Sequence, residues 1–432
     1  MKTKFLLYII LGFVFLACSE NKVEPLFEQS ADQRTQQRLD EYKNILRSAP
    51  HGWKATCVTE GGKRAGFSFF MIFDDKNNVT TYADIDDSTA SLPSRSTYDV
   101  QLKLKPTLVF DTYGYVNYIA DPYTVGGNVG EGYLGDQEFR IESANDTKII
   151  LIGNRNSTPM EMTAMTAEEK RKVETGVLKE QLDNFSAYFN KNGYDILKVG
   201  NKSYDFNFNL ITKKVKVLFP EGNQINEVSM PFYFTLNSLK FSETFEVLGY
   251  QIDEIFWDSI KKKYYFKSGQ NQVYFDKSVR PTIPLVSMIA NGFINGFLLN
   301  EKLENQTSAF KTLFEKMKSD LKTYRSDAND TERILNEIAV VFRADGDVYI
   351  FYVFSQNGAR VQNILGYEPT ITSPNKFKFK YFGKLMTDDI LKIFSPIANI
   401  FQNEEFEIDY DPQTAGLVLL KSKSIEMKGE TF

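Results

Sequence analysis

The feature that most constrains the fold of this 432-residue chain is an internal repeat with a long period. Phe73 ends an apolar run before a polar turn, and Phe342 ends a similar run 269 residues later. Phe139 matches Phe406 at an offset of 267 residues. Two further pairs of motifs keep the same order: Leu108-Val-Phe110 with Phe377-Lys-Phe379, and Met160-Glu-Met162 with Ile425-Glu-Met427. Because order and spacing both persist, we expect two copies of one structural unit.

Three amphipathic helices are predicted at almost even spacing along the chain. Capping boxes predict the starts of the first two, at Ser30-Ala-Asp-Gln33 and Thr166-Ala-Glu-Glu169, because their side chains satisfy free amides of a first helical turn. A third helix is predicted after Thr307, where apolar residues recur at helical spacing. Each apolar stripe is interpreted as a face that packs on a core.

The sequence between these helices favours antiparallel strands. It is rich in Phe and Tyr, which number 36 and 23 in the whole chain and are common in strands. Apolar runs are separated by turn residues that suit hairpins. We therefore predict an α+β fold, predominantly antiparallel β, with three tandem units that each consist of a helix followed by an antiparallel meander. The predicted bounds are 31–165, 166–300 and 301–432, and the first and third units are the most alike.

The N-terminus has the pattern of a bacterial lipoprotein signal. Two lysines precede an apolar run of twelve residues, Phe5–Leu16, which is too short to cross a bilayer but suits secretion. Small Ala17 stands directly before Cys18, as a lipobox requires. We predict that residues 1–17 are a signal peptide, that Cys18 is acylated, and that residues 18–30 form a lipidated tether. A plain secretory signal that contains a cysteine is the alternative.

Charge and cysteine content exclude several classes of protein. The formal net charge of −5 leaves no basic surface of the kind that binds nucleic acid, so no nucleic-acid partner is predicted. Once Cys18 is acylated, only Cys57 remains, so no internal disulfide is expected. Cys57 alternates with apolar residues on a predicted strand and is interpreted as a small core residue.

Motifs for catalysis or metal binding are weak. His51 is the only histidine, so Ser-His-Asp chemistry would depend on a residue in a turn. The run Asp74-Asp-Lys-Asn-Asn78 lacks the glycine and the glutamate of a calcium loop and is interpreted as a hairpin turn. We predict no catalytic residue, no metal site and no cofactor. A pair of carboxylates stays open, because the chain has 56 acidic residues and none can be singled out. The weak binding candidates by residue type are Trp53 and Trp257.

Three stretches together carry a family resemblance: Ser48-Ala-Pro-His-Gly-Trp-Lys54, the Phe-rich hairpin, and Pro106-Thr-Leu-Val-Phe-Asp-Thr-Tyr113. With them, the sequence resembles an uncharacterised family of Bacteroidetes lipoproteins that is defined by a domain of unknown function and is often encoded beside starch-utilisation-type outer-membrane uptake systems. The resemblance implies a surface-facing outer-membrane protein held through the lipid on Cys18, with an outer-membrane transporter complex as candidate partner. The family has no established site residues and commonly has Asn where this chain has His51.

The expected function is that of a non-enzymatic accessory to nutrient capture, which binds a glycan, a peptide or a partner protein. Two alternatives stay open: a hydrolase that uses two carboxylates, and a structural or adhesive surface subunit. An acidic pair in a deep cleft would favour the hydrolase, and an aromatic platform would favour the binder. A broad exposed apolar patch would favour the adhesive subunit.

Overall fold

The computed structural model describes residues 30–124, 130–189, 193–200, 202–222, 224–325 and 331–432. These ranges contain nine helices and 25 strands. The helices are α1 Ala31–Ser48, α2 Thr59–Gly62, α3 Asp87–Ser91, α4 Tyr115–Ala120, α5 Ala167–Glu174, α6 Val177–Phe189, α7 Leu285–Ala290, α8 Ser308–Thr323 and α9 Asp388–Asn403. In the described ranges, no helix is both long enough and apolar enough to cross a bilayer.

The strands fall into three antiparallel sheets, which we call units 1, 2 and 3. Unit 1 contains β1 Trp53–Val58, β2 Gly66–Phe73, β3 Asn78–Ala83, β4 Ser94–Leu102, β5 Pro106–Phe110, β6 Glu138–Ala144, β7 Lys148–Gly153 and β8 Pro159–Ala164. Unit 2 contains β9 Tyr194–Val199, β10 Lys202–Asn209, β11 Lys214–Glu221, β12 Gln224–Phe234, β13 Leu239–Val247, β14 Tyr250–Asp258, β15 Lys263–Ser268, β16 Asn271–Tyr274 and β17 Asp276–Ser278. Unit 3 contains β18 Gly296–Leu299, β19 Arg333–Phe342, β20 Val348–Gln356, β21 Ala359–Ser373, β22 Lys376–Leu385, β23 Phe406–Tyr410, β24 Leu417–Lys421 and β25 Glu426–Thr431.

Unit 1 is a closed barrel whose eight strands pair in chain order. Since neighbouring antiparallel strands run in opposite directions, their connections alternate between the two ends of the barrel. Helix α1 covers the end with the β2–β3 and β4–β5 turns, which we call the α1 end; the opposite end is the loop end. Leu39 and Leu46 of α1 are buried in the barrel core. Arg47 donates to the Tyr98 hydroxyl at 3.0 Å and to Asn77 Oδ1 at 2.6 Å, which ties α1 to this end.

Unit 3 is a second closed barrel with the same strand order. Equivalent strands pair in the same register: Phe73 with Val79 and Phe342 with Val348, then Leu108 with Phe139 and Phe377 with Phe406. The residue pairs Phe73 and Phe342, Leu108 and Phe377, and Phe139 and Phe406 therefore occupy the same places in their barrels. The alignment of Met160 with Ile425 is wrong by two residues, because Met160 pairs with Leu151 and the equivalent Leu420 pairs with Met427. The predicted fold class, an α+β protein of three tandem antiparallel units, is confirmed.

Unit 3 departs from the prediction in two respects. Helix α8 lies between its first two strands, β18 and β19, so a helix followed by a meander does not describe this unit. Strand β18 pairs with β19 and β25, so unit 3 begins before residue 301, where the predicted boundary lies. Its first residue, Gly296, is a poor strand former, which hides the strand in the sequence. Glycine is needed there because a Cβ would lie 2.3 Å from the carbonyl oxygen of Val340.

Helix α9 is the main element that the sequence patterns do not predict. It connects β22 to β23, where unit 1 has the six-residue α4. Both α8 and α9 lie in connections at the loop end of their barrel. Phe314 of α8 and Phe394 and Phe401 of α9 are fully buried in the core. Two long helices therefore cover the loop end of unit 3, whereas the corresponding connection of unit 1 holds the six-residue α4.

Unit 2 is a nine-stranded sheet in which β16 and β17 are the two edge strands. These strands are consecutive in the chain and are separated only by Phe275. Because β16 pairs with β15 and β17 pairs with β9, the segment 271–278 joins the two ends of the sheet. The core is aromatic, and Phe185 of α6 packs with its ring centroid 5.6 Å from Phe232. The single helix predicted after Thr166 is split into α5 and α6 at Gly176, whose φ is +83°. The sequence also predicts that Asn192-Gly193 ends this helix, and Asn192 lies outside the described residues.

Polar contacts join neighbouring units. Lys213 of unit 2 lies against Asp84 of unit 1, with the ammonium 3.2 Å from the carboxylate and both side chains buried. Asp205 of unit 2 accepts hydrogen bonds from the backbone amides of Thr282 at 2.9 Å and Ile283 at 3.3 Å, in the segment that leads to unit 3. Asp84 thus joins unit 2 to unit 1, and Asp205 fixes the segment that leads from unit 2 to unit 3.

Candidate functional site

The two tryptophans named as weak binding candidates pack against other residues of the fold. Trp53 is completely buried at the start of β1, and its indole Nε1 donates to the carbonyl of Leu46 at 2.7 Å. It therefore joins α1 to the barrel, and its candidacy as a binding platform is wrong. Trp257 is half-buried on β14, with its ring 5.1 Å from Tyr264 and 6.1 Å from Tyr188. Of the described residues that line the three cavities discussed below, none is a tryptophan.

The other residues singled out in the sequence lie in turns or in the core. His51 is half-buried in the turn between α1 and β1. Cys57 is buried and free, and burial raises the pKa of its thiol far above the ordinary value, so the thiol stays protonated. Asp74 accepts the backbone amides of Lys76 and Asn78, both at 2.8 Å, so it holds a hairpin turn as predicted. Cys18 lies outside the described residues, and its acylation stays a prediction.

A polar cleft of about 520 Å³ opens at the loop end of unit 1. We call it the unit 1 cleft and define it by six of its lining residues: Tyr113, Asn117, Asp121, Gln137, Glu138 and Arg155. Tyr113 and Asp121 flank α4, which carries Asn117. Gln137 and Glu138 lie where the chain enters β6, and Arg155 lies in the turn between β7 and β8. The cleft is thus built by loop-end connections that a closed barrel holds in place.

Asp136 organises the turn that presents Arg155. Its carboxylate accepts the backbone amides of Arg155 at 2.7 Å, Asn156 at 3.0 Å and Thr158 at 3.2 Å. Gly153 permits this close approach, because a Cβ there would lie 2.1 Å from Asp136 Oδ2. The carboxylate of Asp136 therefore stabilises this turn, and it fixes the backbone of residues 154–158 beside the cleft.

Asn117 performs a similar task on the opposite wall. Its Oδ1 accepts the amide of Gly114 at 3.1 Å, and its Nδ2 donates to the carbonyl of Phe110 at 3.1 Å and to Gln137 Oε1 at 3.2 Å. The Gln137 side chain is exposed but held by this contact. Asn117 thus spends its hydrogen bonds within the fold, and it fixes the position of the exposed Gln137 amide, which is a requirement for oriented hydrogen bonding to a ligand.

Tyr113 supplies an aromatic surface at the mouth of the cleft. Its side chain is 63% exposed, and its hydroxyl donates to Asp121 Oδ2 at 3.0 Å. Partial burial of the hydroxyl, together with this hydrogen bond, raises the pKa of Tyr113 to about 12, so the phenol is neutral at physiological pH. Asp121 is also fixed by the amide of Tyr123, which donates to its Oδ1 at 2.9 Å. The ring of Tyr113 is therefore exposed, and its hydrogen bond to Asp121 restricts its orientation.

The charges of the cleft favour neutral ligands. Three lining carboxylates, Asp121, Asp136 and Glu138, and one guanidinium, Arg155, give 1 − 3 = −2. Glu138 is paired with the ammonium of Lys103 at 2.5 Å. The exposed side chains of Asn154 and Arg155 make no hydrogen bond or ion pair with any described residue, so their donors are available to a ligand. A polyanion would meet a negative field overall.

Two other cavities differ in character. One, of about 610 Å³, lies at the end of the unit 3 barrel that corresponds to the α1 end of unit 1. It is mainly apolar, with Ile289, Phe342, Ile371 and Phe377 in its wall and Arg343 as its one charged lining residue. The other, of about 260 Å³, lies between units 1 and 2. Across the described residues, no cluster of His, Cys, Asp and Glu has the arrangement of a metal site.

The fold and the cleft define an α+β protein of three antiparallel units, with a polar cleft at one barrel end. The chain belongs to the family described as Domain of unknown function (DUF4302), which matches residues 23–259. This match covers unit 1, with its cleft, and most of unit 2, and it ends before unit 3. No curated protein matches the chain.

Proposed function

We propose that this protein is an outer-membrane lipoprotein, anchored through acylated Cys18 and exposed at the cell surface, that binds glycan in the unit 1 cleft without turning it over. In this role it is an accessory to nutrient capture and passes its ligand to an outer-membrane transporter complex. The observation that carries the proposal is the exposed ring of Tyr113 beside the fixed amides of Asn117 and Gln137.

The chemistry of this cleft suits a sugar. A sugar ring presents an apolar face of C–H groups and a rim of hydroxyls, so it needs a flat apolar surface with donors and acceptors beside it. Tyr113 offers the surface, and Gln137, Asn154 and Arg155 offer the polar groups. The net negative charge favours neutral or amino sugars over acidic ones. Acidic peptides are disfavoured for the same reason.

The position of the cleft fits a tethered binding protein. The proposed lipid tether enters the fold at Ser30, the N-cap of α1. Helix α1 covers one end of the unit 1 barrel, and the cleft lies at the loop end on the other side. A protein held by residues 18–30 can therefore point this cleft away from the membrane.

The hydrolase alternative receives less support from the same residues. A general acid or base must reach the reacting atoms, and the carboxylates here are engaged with the protein. Asp136 holds a turn, Glu138 pairs with Lys103, and Asp121 accepts from both Tyr113 and Tyr123. The adhesive alternative would draw on the apolar cavity of unit 3, where Ile371 is 54% exposed.

The test is a glycan and peptide array followed by calorimetry on the soluble form that begins at residue 19. We expect retention of neutral or amino glycans and no released product. Tyr113→Ala should weaken binding by about tenfold, or about 1.4 kcal/mol, because the stacking surface is lost. Arg155→Ala should also weaken binding, through loss of an available donor.

The matched control is Tyr381→Ala, a partly exposed tyrosine of unit 3 that is remote from the cleft, which should leave affinity unchanged. Equal binding by wild type and the Tyr113→Ala/Arg155→Ala double variant would show that the cleft is not the glycan site. Release of product that a single carboxylate substitution abolishes would favour the hydrolase.

A further inference from the structure

The tip of the β4–β5 hairpin presents apolar side chains to solvent. Leu104 is fully exposed at the turn, and Leu102 is 54% exposed at the end of β4. Single exposed leucines are ordinary on protein surfaces, but two at one protruding tip form a small apolar point. Lys103 and Lys105 flank Leu104 in the sequence. Both ammonium groups turn back to carboxylates of β6, so the side chain that protrudes from the tip is Leu104.

This tip lies beside the place where the proposed tether joins the fold. Arg34 and Arg38, in the first half of α1, line a shallow depression together with Leu102 and Pro106. The anchor residue Cys18 is separated from α1 by residues 19–30, twelve residues that span at most about 40 Å when fully extended. The start of α1 must therefore stay within that distance of the lipid surface, and the hairpin tip lies against the first half of this helix.

We propose that the tip formed by residues 102–106 rests in the headgroup layer of the membrane that carries the anchor, with Leu104 inserted. This inference rests on the proposed anchor at Cys18, but not on the glycan cleft. Its consequence is a defined orientation: the α1 end of unit 1 faces the lipid, and the unit 1 cleft faces away from it.

Insertion should depend on the leucines more than on anionic lipid. The nearby cations have carboxylate partners: Lys103 pairs with Glu138 at 2.5 Å, and Lys105 pairs with Glu142 at 2.9 Å. These pairs keep the tip close to neutral. Zwitterionic phosphatidylcholine should consequently be sufficient, because the driving force is removal of leucine surface from water.

The experiment places a fluorophore at the tip of the full-length, acylated protein in phosphatidylcholine vesicles. Leu104→Cys is labelled with the environment-sensitive dye NBD, while Cys57 stays unlabelled because it is buried. The matched control is Leu92→Cys, an exposed leucine (62%) in the β3–β4 connection at the loop end. We expect a blue shift and a rise in emission at position 104, quenched by brominated lipid, and no change at position 92.

Three results would overturn the inference. Acylated protein with no shift at position 104 would refute the membrane contact and leave the glycan proposal intact. Equal shifts at both positions would refute the orientation. A shift at position 104 without vesicles would indicate a second copy of the chain as the true occupant. Mass spectrometry of the N-terminal peptide reports acylation separately, and its absence would refute the anchor together with this inference.

Discussion

The ammonium of Lys213 lies 3.2 Å from the carboxylate of Asp84, and neither side chain is exposed to solvent. The same carboxylate accepts the backbone amides of Ser68 at 2.8 Å and Phe234 at 2.7 Å, one from each of units 1 and 2. Burial raises the pKa of Asp84 and lowers the pKa of Lys213, because each charged form loses its hydration. Each charge is therefore tolerated only because the other is present.

We predict that Lys213→Met lowers the free energy of unfolding by about 3–5 kcal/mol, because it leaves the carboxylate of Asp84 buried without its cation. Urea denaturation of both proteins measures the change. The double variant Lys213→Met/Asp84→Asn should lose less than the sum of the two single losses, since the unpaired charge is then absent. The control Lys179→Met breaks an exposed pair on α6 and should cost no more than about 0.5 kcal/mol. Similar losses for Lys213→Met and Lys179→Met would contradict the argument.

A second buried carboxylate gives a prediction about pH. Asp195 of β9 lies 2.7 Å from the ammonium of Lys277 on β17, where these strands join the sheet of unit 2. Burial raises the pKa of Asp195 to about 6, although Lys277 acts in the opposite direction. The folded state therefore holds this proton more tightly than the unfolded state. The resulting stability is present below about pH 4, the unfolded value, and is lost as the pH rises through about 6.

We expect the free energy of unfolding to fall between about pH 4 and 6 by up to about 3 kcal/mol on account of Asp195. The measurement is a series of urea titrations of wild type and Asp195→Asn across this pH range. The free energy of unfolding of wild type, relative to that of Asp195→Asn, should fall as the pH rises. Asp146→Asn, an exposed substitution in the β6–β7 turn, serves as control and should keep the wild-type profile. A pH-independent difference between wild type and Asp195→Asn would mean that Asp195 titrates alike in both states.

The turn before β1 allows a test of two adjacent residues. His51 is half-buried there, and Asn should replace it with a stability change within about 1 kcal/mol. Gly52 has φ of +84°, and a Cβ on it would lie 2.4 Å from the carbonyl oxygen of Met71. Gly52→Ala should therefore destabilise the protein clearly more than His51→Asn does, as measured by thermal or urea unfolding. A large effect of His51→Asn on stability or on ligand retention would give that histidine a role that the turn does not explain.

The sequence predicted the parts of the fold that depend on buried, regularly spaced residues. Phe139 and Phe406 align because each is a fully buried strand residue with the same partner position in its barrel. The capping box at Ser30 appears as expected, with its hydroxyl accepting the amide of Gln33. Elements in irregular connections were harder to foresee. Strand β18 begins at a glycine, and the 16-residue α9 lies in a connection where unit 1 has only the six-residue α4.

The candidate site was not predictable for a related reason. Asn117, Gln137 and Arg155 lie in separate connections, which no periodicity relates and which only barrel closure brings together. The one local signal is Tyr113, an aromatic residue just after β5 and before α4, where core packing does not require one. The prediction for Trp53 rested on residue type alone. In sequence, a tryptophan that hydrogen-bonds within a core looks the same as one that binds a ligand.

The last prediction concerns the turn that supports Arg155. Gly153→Ala places a methyl group where Asp136 Oδ2 would be 2.1 Å away, so the carboxylate must move off the amides that it accepts. We expect overpacking to lower the free energy of unfolding by about 1–3 kcal/mol. Faster hydrogen exchange at the amides of Arg155, Asn156 and Thr158, measured by NMR, should accompany it, because these are the groups that Asp136 holds. Gly383→Ala is the matched control, since a Cβ there meets nothing within 4 Å and should change neither quantity. Unchanged exchange at all three amides in Gly153→Ala would show that Asp136 does not hold the turn, and the rigid presentation of Arg155 to a ligand would have to be abandoned.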